Sequence, residues 1–434
     1  MRKLLLAILL AATTLFVHSS VAAEPTGEAS AAAPKTTAAQ PPSVTHLDPE
    51  AETRKYMERL KGEAREKSDN YFTGKSWLTL WQFLYGLAVA WLLLSQRISL
   101  KMRETAERVS RRPNVQALLY GLTYVPVATL VTLPMTIYVE YFREHQYGLS
   151  NLTFMGWVMD SAKNLLIETI LMSVMVLGLY AILRRAPRSW WAWAAVVGGA
   201  FMVVMVMISP VFIAPLFNTY KPLPEGALRD EILSMARANG IPADNVYWFD
   251  ASKQSKRVSA NVSGMFGTTR IALNDNLLNR MKPDAVKAVM AHEMGHYVLN
   301  HGPKHAIAFT LILLGGLIFT KLAWNWAYAR FGTRAGIRSL SDPAGFPLFG
   351  AILSAYMLFA TPLVNTVIRI AETEADLFGL NASREPDGFA EAIFSLSEYR
   401  KMQPSGVEEA LFFDHPSGYN RIYAAMRWKA ENLK

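Results

Sequence analysis

The stretch PDAVKAVMAHEMGHYVLNH (283–301) fixes the reading of the rest of the chain. Pro283 suits a first helical position, and Asp284 in the first turn complements the positive end of the helix dipole. The pattern predicts a helix from Pro283 to about Asn300, ended by Gly302-Pro303. In its middle, His292-Glu293-Met294-Gly295-His296 fits H-E-x-x-H. Residues four apart share a helix face, so both imidazoles can reach one ion, and Glu293 can approach an activated water as general base. The plain alternative is a helix whose histidines only pack or cap. A third ligand elsewhere in the chain favours the metal.

An elongated motif would need Gly at 299 and His at 302; the chain has Leu299 and Gly302, which excludes that class. His301 and His305 fall off the ligand face or beyond the helix end and read as solvated loop histidines. The better candidate is Glu372-Thr373-Glu374-Ala375-Asp376. Glu372 and Asp376 lie four apart on a helix continuing from an apolar run, so one can ligate while the other orients a ligand imidazole. Taken alone, the cluster equally reads as the acidic end of an interfacial helix.

Working outward, the 434 residues are 51% hydrophobic and 18% charged, with no Cys and a net charge of +9. That composition excludes a disordered chain, a disulfide scaffold, thiolate zinc sites and iron–sulfur clusters. It suits a membrane protein with a modest soluble part. Arg2, Lys3, the apolar run Leu4–Val17 and Val21-Ala22-Ala23 read as a signal peptide or signal anchor over 1–23. Residues 24–46 read as a disordered linker and 47–70 as a solvated helix.

Six apolar runs are long enough to cross a bilayer: Trp77–Leu94, Val115–Val139, Leu165–Leu183, Trp190–Phe212, Ile307–Trp324 and Phe346–Ile370. Pro126 and Pro134 predict kinks in the second. Glu168 falls in the first turn of the third and reads either as a chamber-facing group or as an interfacial carboxylate. Lys321 reads as a snorkelling or bundle-paired cation. Between spans four and five, Leu228, Ile232 and Met235 share a helix face ended by Asn239-Gly240. Segments 245–250, 257–264 and 269–274 read as strands.

The domains expected are therefore four spans in 47–217, a peptidase core in 218–305, two further spans in 306–371, and the rest of the peptidase in 372–434. Loop 95–114 carries Arg97, Lys101, Arg103, Arg108, Arg111 and Arg112; loop 184–189 carries Arg184, Arg185 and Arg188; loop 325–345 carries Arg330, Arg334 and Arg338. These loops alternate along the chain, which makes all three cytoplasmic and puts the insert and the C-terminal tail on the other side.

The chain resembles the M48 metallopeptidases of the Ste24 type, the integral-membrane CAAX prenyl proteases. The resemblance runs over roughly residues 46–430 and rests on FREHQYGLSN (142–151), SPVFIAPLFN (209–218), SANVSGMFGTTRIALNDNLL (259–278), HEMGHYVLNH (292–301), RIAETEADLFG (369–379) and HPSGYNRI (415–422). It implies one zinc ion per subunit held by His292, His296 and Glu372, with Glu293 as base and proton shuttle. It also implies that Asp376 hydrogen-bonds a ligand His, that Asn261 lies on an edge strand pairing with the substrate backbone, and that His415 and Arg421 bind substrate or the oxyanion. A ring of spans would enclose a chamber.

The family's eukaryotic members have seven spans and a cytosolic metal domain, whereas the loop charges here put that domain outside. The expected fold is thus a mainly α, polytopic membrane helical bundle enclosing a chamber, with a small α+β zincin-like metalloprotease domain. The expected function is a membrane-embedded zinc endopeptidase in a bacterial inner membrane, with its catalytic domain periplasmic, the cytoplasmic side being the alternative. Its partners would be a peptide or protein substrate, lipid-associated or not, and membrane lipid. Nucleic acid is not expected, because the basic residues are spread over short loops rather than one soluble face. A transporter with structural zinc is disfavoured, since a structural site takes four protein ligands and this sequence offers three beside a base.

Overall fold

The computed structural model describes residues 47–264 and 269–433. The expected signal segment (1–23) and linker (24–46) lie outside the described residues. A short helix α1 (Pro49–Arg59) precedes α2 (Gly62–Ser95), α3 (Ile98–Val109) and α4 (Pro113–Thr136). A π turn (Ile137–Phe142) carries α4 on to Gln146, and Pro126 and Pro134 sit within its helical interior. α5 (Phe154–Arg185) and α6 (Trp190–Ile208) follow. Then come β1 (Tyr220–Pro222), α7 (Ala227–Ala238), β2 (Val246–Phe249), β3 (Ala260–Ser263), β4 (Arg270–Asn274) and α8 (Asp275–Arg280). The chain closes with α9 (Pro283–Val298), α10 (His301–Ala327), α11 (Phe346–Ser383), α12 (Pro386–Ser395), α13 (Gly406–Phe412) and α14 (Gly418–Asn432).

Among the described residues six helices are long and apolar enough to span a membrane, with mean hydropathy between 1.5 and 2.5 over their best windows. Their large apolar side chains stand exposed, among them Trp77, Leu130, Phe212 and Phe359, as expected of surfaces whose solvent is lipid.

Several expectations need correcting. The first and third span helices start well before their apolar runs, at Gly62 and Phe154, so Glu168 lies near the middle of α5 rather than in its first turn. Loop 95–114 contains a helix, α3, buried through Ser99, Met102, Arg103 and Ala106, a spacing that marks one helical face. Gly302-Pro303 does not end α9. The break comes at Asn300, which takes a left-handed φ of 57°, and Gly302 and Pro303 sit in the first turn of α10, where an N–H is dispensable. Lys321 lies over the Trp191 ring, 5.1 Å from its centroid.

The three basic loops meet at one end of the bundle. Arg103 pairs with Asp342 at 2.5 Å, Arg338 with Glu107 at 2.6 Å, and Arg184 donates to Asn114 at 2.5 Å. Beneath them Tyr120, Tyr180, Trp190, Trp324 and Phe349 form a core drawn from five helices.

The sheet has the order β1-β2-β4-β3. β2 and β4 are parallel, with Val246 opposite Ile271, and β1 and β3 join antiparallel on either side. β1 escaped the sequence reading because it is a three-residue edge strand ending in Pro222, a residue tolerated only at such positions. Val246, Ile271 and Leu273 pack with Ile232 of α7 and with Val286, Met290 and Met294 of α9. A separate core joins Met57 of α1, Ala288 of α9, Leu380 of α11, Phe389 and Ile393 of α12, and Ile422 and Met426 of α14. α9 is thus gripped from both sides, which fixes the direction of its histidines.

Candidate metal centre

Two helices carry the site, and small residues let them touch. A Cβ on Gly295 of α9 would stand 3.2 Å from the Ala375 Cα of α11, and one on Gly379 would stand 3.0 Å from the His292 backbone nitrogen. This close approach brings the Glu372 carboxylate, 26 residues beyond the start of the 38-residue α11, up to the α9 histidines.

His292 Nε2 and His296 Nε2 are 3.1 Å apart. Glu372 Oε2 lies 3.3 Å from His292 Nε2, and Oε1 lies 3.4 Å from His296 Nε2. A tetrahedral ion with ligands at 2.0–2.1 Å has ligand–ligand edges of about 3.3 Å. The two imidazole nitrogens, and each of them to its nearer Glu372 oxygen, are separated by close to that value. Glu372 Oε2 is buried and makes no well-aligned hydrogen bond, although His415 Nε2 and His292 Nε2 stand 3.2 and 3.3 Å away, which leaves an acceptor for something else to satisfy. Donor set and geometry therefore both fit a metal ion. Among the described residues these three form a candidate metal group.

Around them stands a second layer. Asp376 Oδ1 lies 2.8 Å from His292 Nδ1 and accepts from Arg421 Nη2 at 2.6 Å, while Oδ2 accepts from Arg421 Nε at 2.8 Å. Burial disfavours a charge on His292, but the Asp376 and Glu372 carboxylates outweigh it and hold the imidazole up to about 10. Glu293 is raised above the usual carboxyl range, chiefly by burial. His415 Nε2 lies 3.2 Å from Glu372 Oε2, and its Nδ1 lies 2.8 Å from Asp414. Burial holds His415 below the usual imidazole range against the pull of Asp414. His292, Glu293, Glu372, His415 and Arg421 line one cleft with Val258, Ser259 and Ala260, the approach to β3. Asn261 sits on β3 opposite Ala272, at the edge of the sheet, and its Oδ1 accepts from Ser263.

Four further residues, His301, Glu374, Arg369 and Ser417, support this centre. His301 is no solvated loop histidine: it is 2% exposed, with Nδ1 2.8 Å from His296 Nδ1 and Nε2 3.0 Å from Glu374. Glu374 closes that chain. Arg369 of α11 donates to the carbonyls of Glu409 and Phe413, pinning the segment that presents Asp414 and His415. Ser417 caps α14, so H-P-S places His415 just before the cap and Arg421 one turn inside the helix. The quoted FREHQYGLSN and SPVFIAPLFN stretches do structural work. Asn151 and Leu149 exchange backbone hydrogen bonds with residues 254–256, Glu144 pairs with Arg257 at 2.7 Å, and the Pro210 carbonyl accepts from Arg270.

Comparison with known proteins agrees with this architecture. Residues 222–429 match the model of peptidase family M48, and residues 48–219 match that of the CAAX prenyl protease N-terminal region, five membrane helices. The chain is 26% identical to the uncharacterized metalloprotease YhfN of Bacillus subtilis over 79% of this chain and 82% of that protein. It is 27% identical to CAAX prenyl protease 1 of Saccharomyces cerevisiae, over 74% of this chain and 76% of that one. It is 25% identical to the human CAAX prenyl protease 1 homolog, over 89% and 90%. The crystal structure of S. mikatae Ste24p superposes with a TM-score of 0.70 at 24% identity, covering 86% of this chain and 93% of that one, which shows the shared fold.

Proposed function

The chain belongs to peptidase family M48 and is an integral-membrane metalloprotease acting on peptide or protein substrates, and on that premise we propose a zinc-dependent endopeptidase whose centre is His292, His296 and Glu372. The observation that carries the proposal is the convergence of the two imidazole nitrogens, 3.1 Å apart, on the Glu372 carboxylate, whose two oxygens lie 3.3 and 3.4 Å from them. Two imidazoles and one carboxylate, in a chain without cysteine, suit zinc among first-row ions. When bound, the ion supplies Lewis acidity, lowering the pKa of water and polarising the scissile carbonyl.

The remaining work falls to side chains. Glu293, buried and raised in pKa, takes the proton of the attacking water and returns it to the leaving amine. Asp376 holds His292 in orientation through Nδ1. His415 and Arg421 line the cleft, ready to donate to the developing oxyanion. β3, an edge strand carrying Asn261, offers its free side to an extended substrate backbone. The spans are proposed to surround a chamber bounded by membrane lipid, with no role for nucleic acid.

The periplasmic face of a bacterial inner membrane is the proposed location of the site. Glu372 lies 26 residues beyond the start of α11, a helical rise of about 39 Å from the basic end, more than one hydrocarbon thickness. With the basic loops cytoplasmic, the site faces the other side.

The test is Glu293→Gln in the purified full chain. Zinc content should stay at one ion per chain while peptide cleavage falls by about 10²- to 10⁴-fold. Cleavage at the parent rate in that variant would sink the mechanism.

A further inference from the structure

Beside the cleft lies a second cavity, sharing the wall formed by Ile393, Leu396, Tyr399, Arg400 and Arg421. Its far side is built by Tyr71, Lys75, Arg257, Phe413 and Asp414. With about 110 Å³ of space, it has room for several waters, and hence for a small polar group.

The charges around it are not balanced. Arg257 is paired with Glu144 at 2.7 Å, Lys401 with Glu408 at 2.7 Å, and Arg421 with Asp376 at 2.6 Å. Two cations remain. Both line the cavity, and among the described residues neither the Arg400 guanidinium nor the Lys75 ammonium makes a side-chain hydrogen bond or has a carboxylate oxygen within 4 Å. The nearest anion on the wall, Asp414, is 2.8 Å from His415 Nδ1. One carboxylate therefore faces two cations and is already engaged. Arg400 is half-buried and Lys75 exposed, so the guanidinium has shed part of its hydration and an anion entering the cavity meets it on its less hydrated side.

Resting on the peptidase reading above, we propose that Arg400 and Lys75 form a subsite for a carboxylate of the peptide substrate, adjoining the scissile bond. The carboxylate comes either from an acidic side chain or from the peptide's own C-terminus. Both offer the planar pair of oxygens that a guanidinium binds through two N–H groups. The cavity shares its Arg400–Arg421 wall with the catalytic cleft, so a peptide lying along β3 reaches it within a few residues.

The experiment uses the zinc-loaded full chain in detergent and three quenched fluorescent peptides of one sequence. The first is neutral and amidated, the second amidated with one Glu scanned through the positions flanking the cut, and the third neutral with a free C-terminus. One of the two carboxylate peptides should exceed the neutral one in kcat/KM by about tenfold, the size of one charge-assisted hydrogen bond. Which one does so identifies the source. Arg400→Gln and Lys75→Gln should each cut that ratio at least threefold, and Arg400→Lys should keep more of it than Arg400→Gln. Binding of the same peptides to Glu293→Gln should show the same ordering, which detects the subsite even where no peptide is cut. Equal ratios for all three peptides in the parent, or ratios unmoved in both Gln variants, would overturn the subsite and leave the peptidase reading standing. Failure of every peptide to be cut, with the binding order intact, would count against the peptidase reading alone.

Discussion

Asp376→Asn separates two tasks that one buried carboxylate performs. Asp376 is 4% exposed and Arg421 5%. Their bidentate contact at 2.6 and 2.8 Å is the only compensation of full charge that the guanidinium has at hydrogen-bond distance among the described residues. The same carboxylate stands 2.8 Å from His292 Nδ1. Asparagine keeps the shape and one acceptor oxygen but removes the charge. Arg421 is then a buried cation that has lost its bidentate partner and keeps only the Glu372 carboxylate at 4.0 Å, a loss of up to about 3–5 kcal/mol. At His292 the loss depends on which way the amide turns. With its oxygen on Nδ1, zinc affinity should fall about tenfold; with its NH₂ there, the ring loses its anchor and the loss moves toward about 100-fold.

The assays are zinc competition against a chelator of known affinity and thermal unfolding in detergent, each with and without metal. Arg421→Met provides the control. It should share part of the stability loss, since Asp376 stays buried with only its His292 Nδ1 contact at 2.8 Å, but it should keep most of the zinc affinity because His292 keeps its carboxylate. The double variant should be more stable than the sum of the single losses predicts, by at least about 1 kcal/mol, because both buried charges are gone together. Parent-like zinc affinity in Asp376→Asn, or strict additivity in the cycle, would refute the reasoning.

The other expectations are more local. His301→Ala should weaken zinc binding about 10-fold without touching Glu293, because His301 Nδ1 lies 2.8 Å from His296 Nδ1; unchanged affinity in a chelator titration would assign His301 to packing alone. Gly379→Ala should lower both stability and zinc affinity, costing about 1–3 kcal/mol, since its Cβ would press on the His292 backbone at 3.0 Å; a parent-like melting temperature would show that the helices separate cheaply. A protease tag inserted at the exposed Glu225-Gly226 turn should be cut once the outer membrane alone is breached. Cutting that requires lysis of the inner membrane would reverse the proposed orientation.

The six spans were legible because apolar runs of bilayer length carry their own signal. Their ends were not. The run from Trp77 to Leu94 marks the lipid-facing part of α2, while the helix extends back to Gly62 through charged residues that read as a separate solvated helix and that hydropathy does not join to the span. The same blindness hid α3. In a basic segment, only the spacing of Ser99, Met102, Arg103 and Ala106 showed the buried face. Gly302-Pro303 misled because a stop signal and a first-turn proline look alike. The left-handed Asn300 two residues earlier decides between them, and backbone dihedrals are invisible in sequence.

The site divides along the same line. His292 and His296 share a helix, so their spacing alone put them on one face. Glu372 and Asp376 were legible as a pair and as candidates for third ligand and imidazole partner, but the packing that brings them to that face was not. What joins them is the absence of side chains at Gly295 and Gly379, and a glycine in a helix has too many other readings to announce a contact. His415 is further removed. Its position depends on Arg369 holding the carbonyls of Glu409 and Phe413 and on the Ser417 cap starting α14, three contacts that link α11, α13 and α14. Arg369 belongs to the same R-x-x-E-x-x-A-D run as Glu372 and Asp376. One face of α11 therefore carries the candidate third ligand, the carboxylate set against His292, and the clamp for the loop that bears His415. A slip of α11 against α9 would move all three together. The small residues at this helix contact, Gly295, Ala375 and Gly379, should therefore tolerate substitution less well than the exposed positions on the same helices, although none of them lines the cleft.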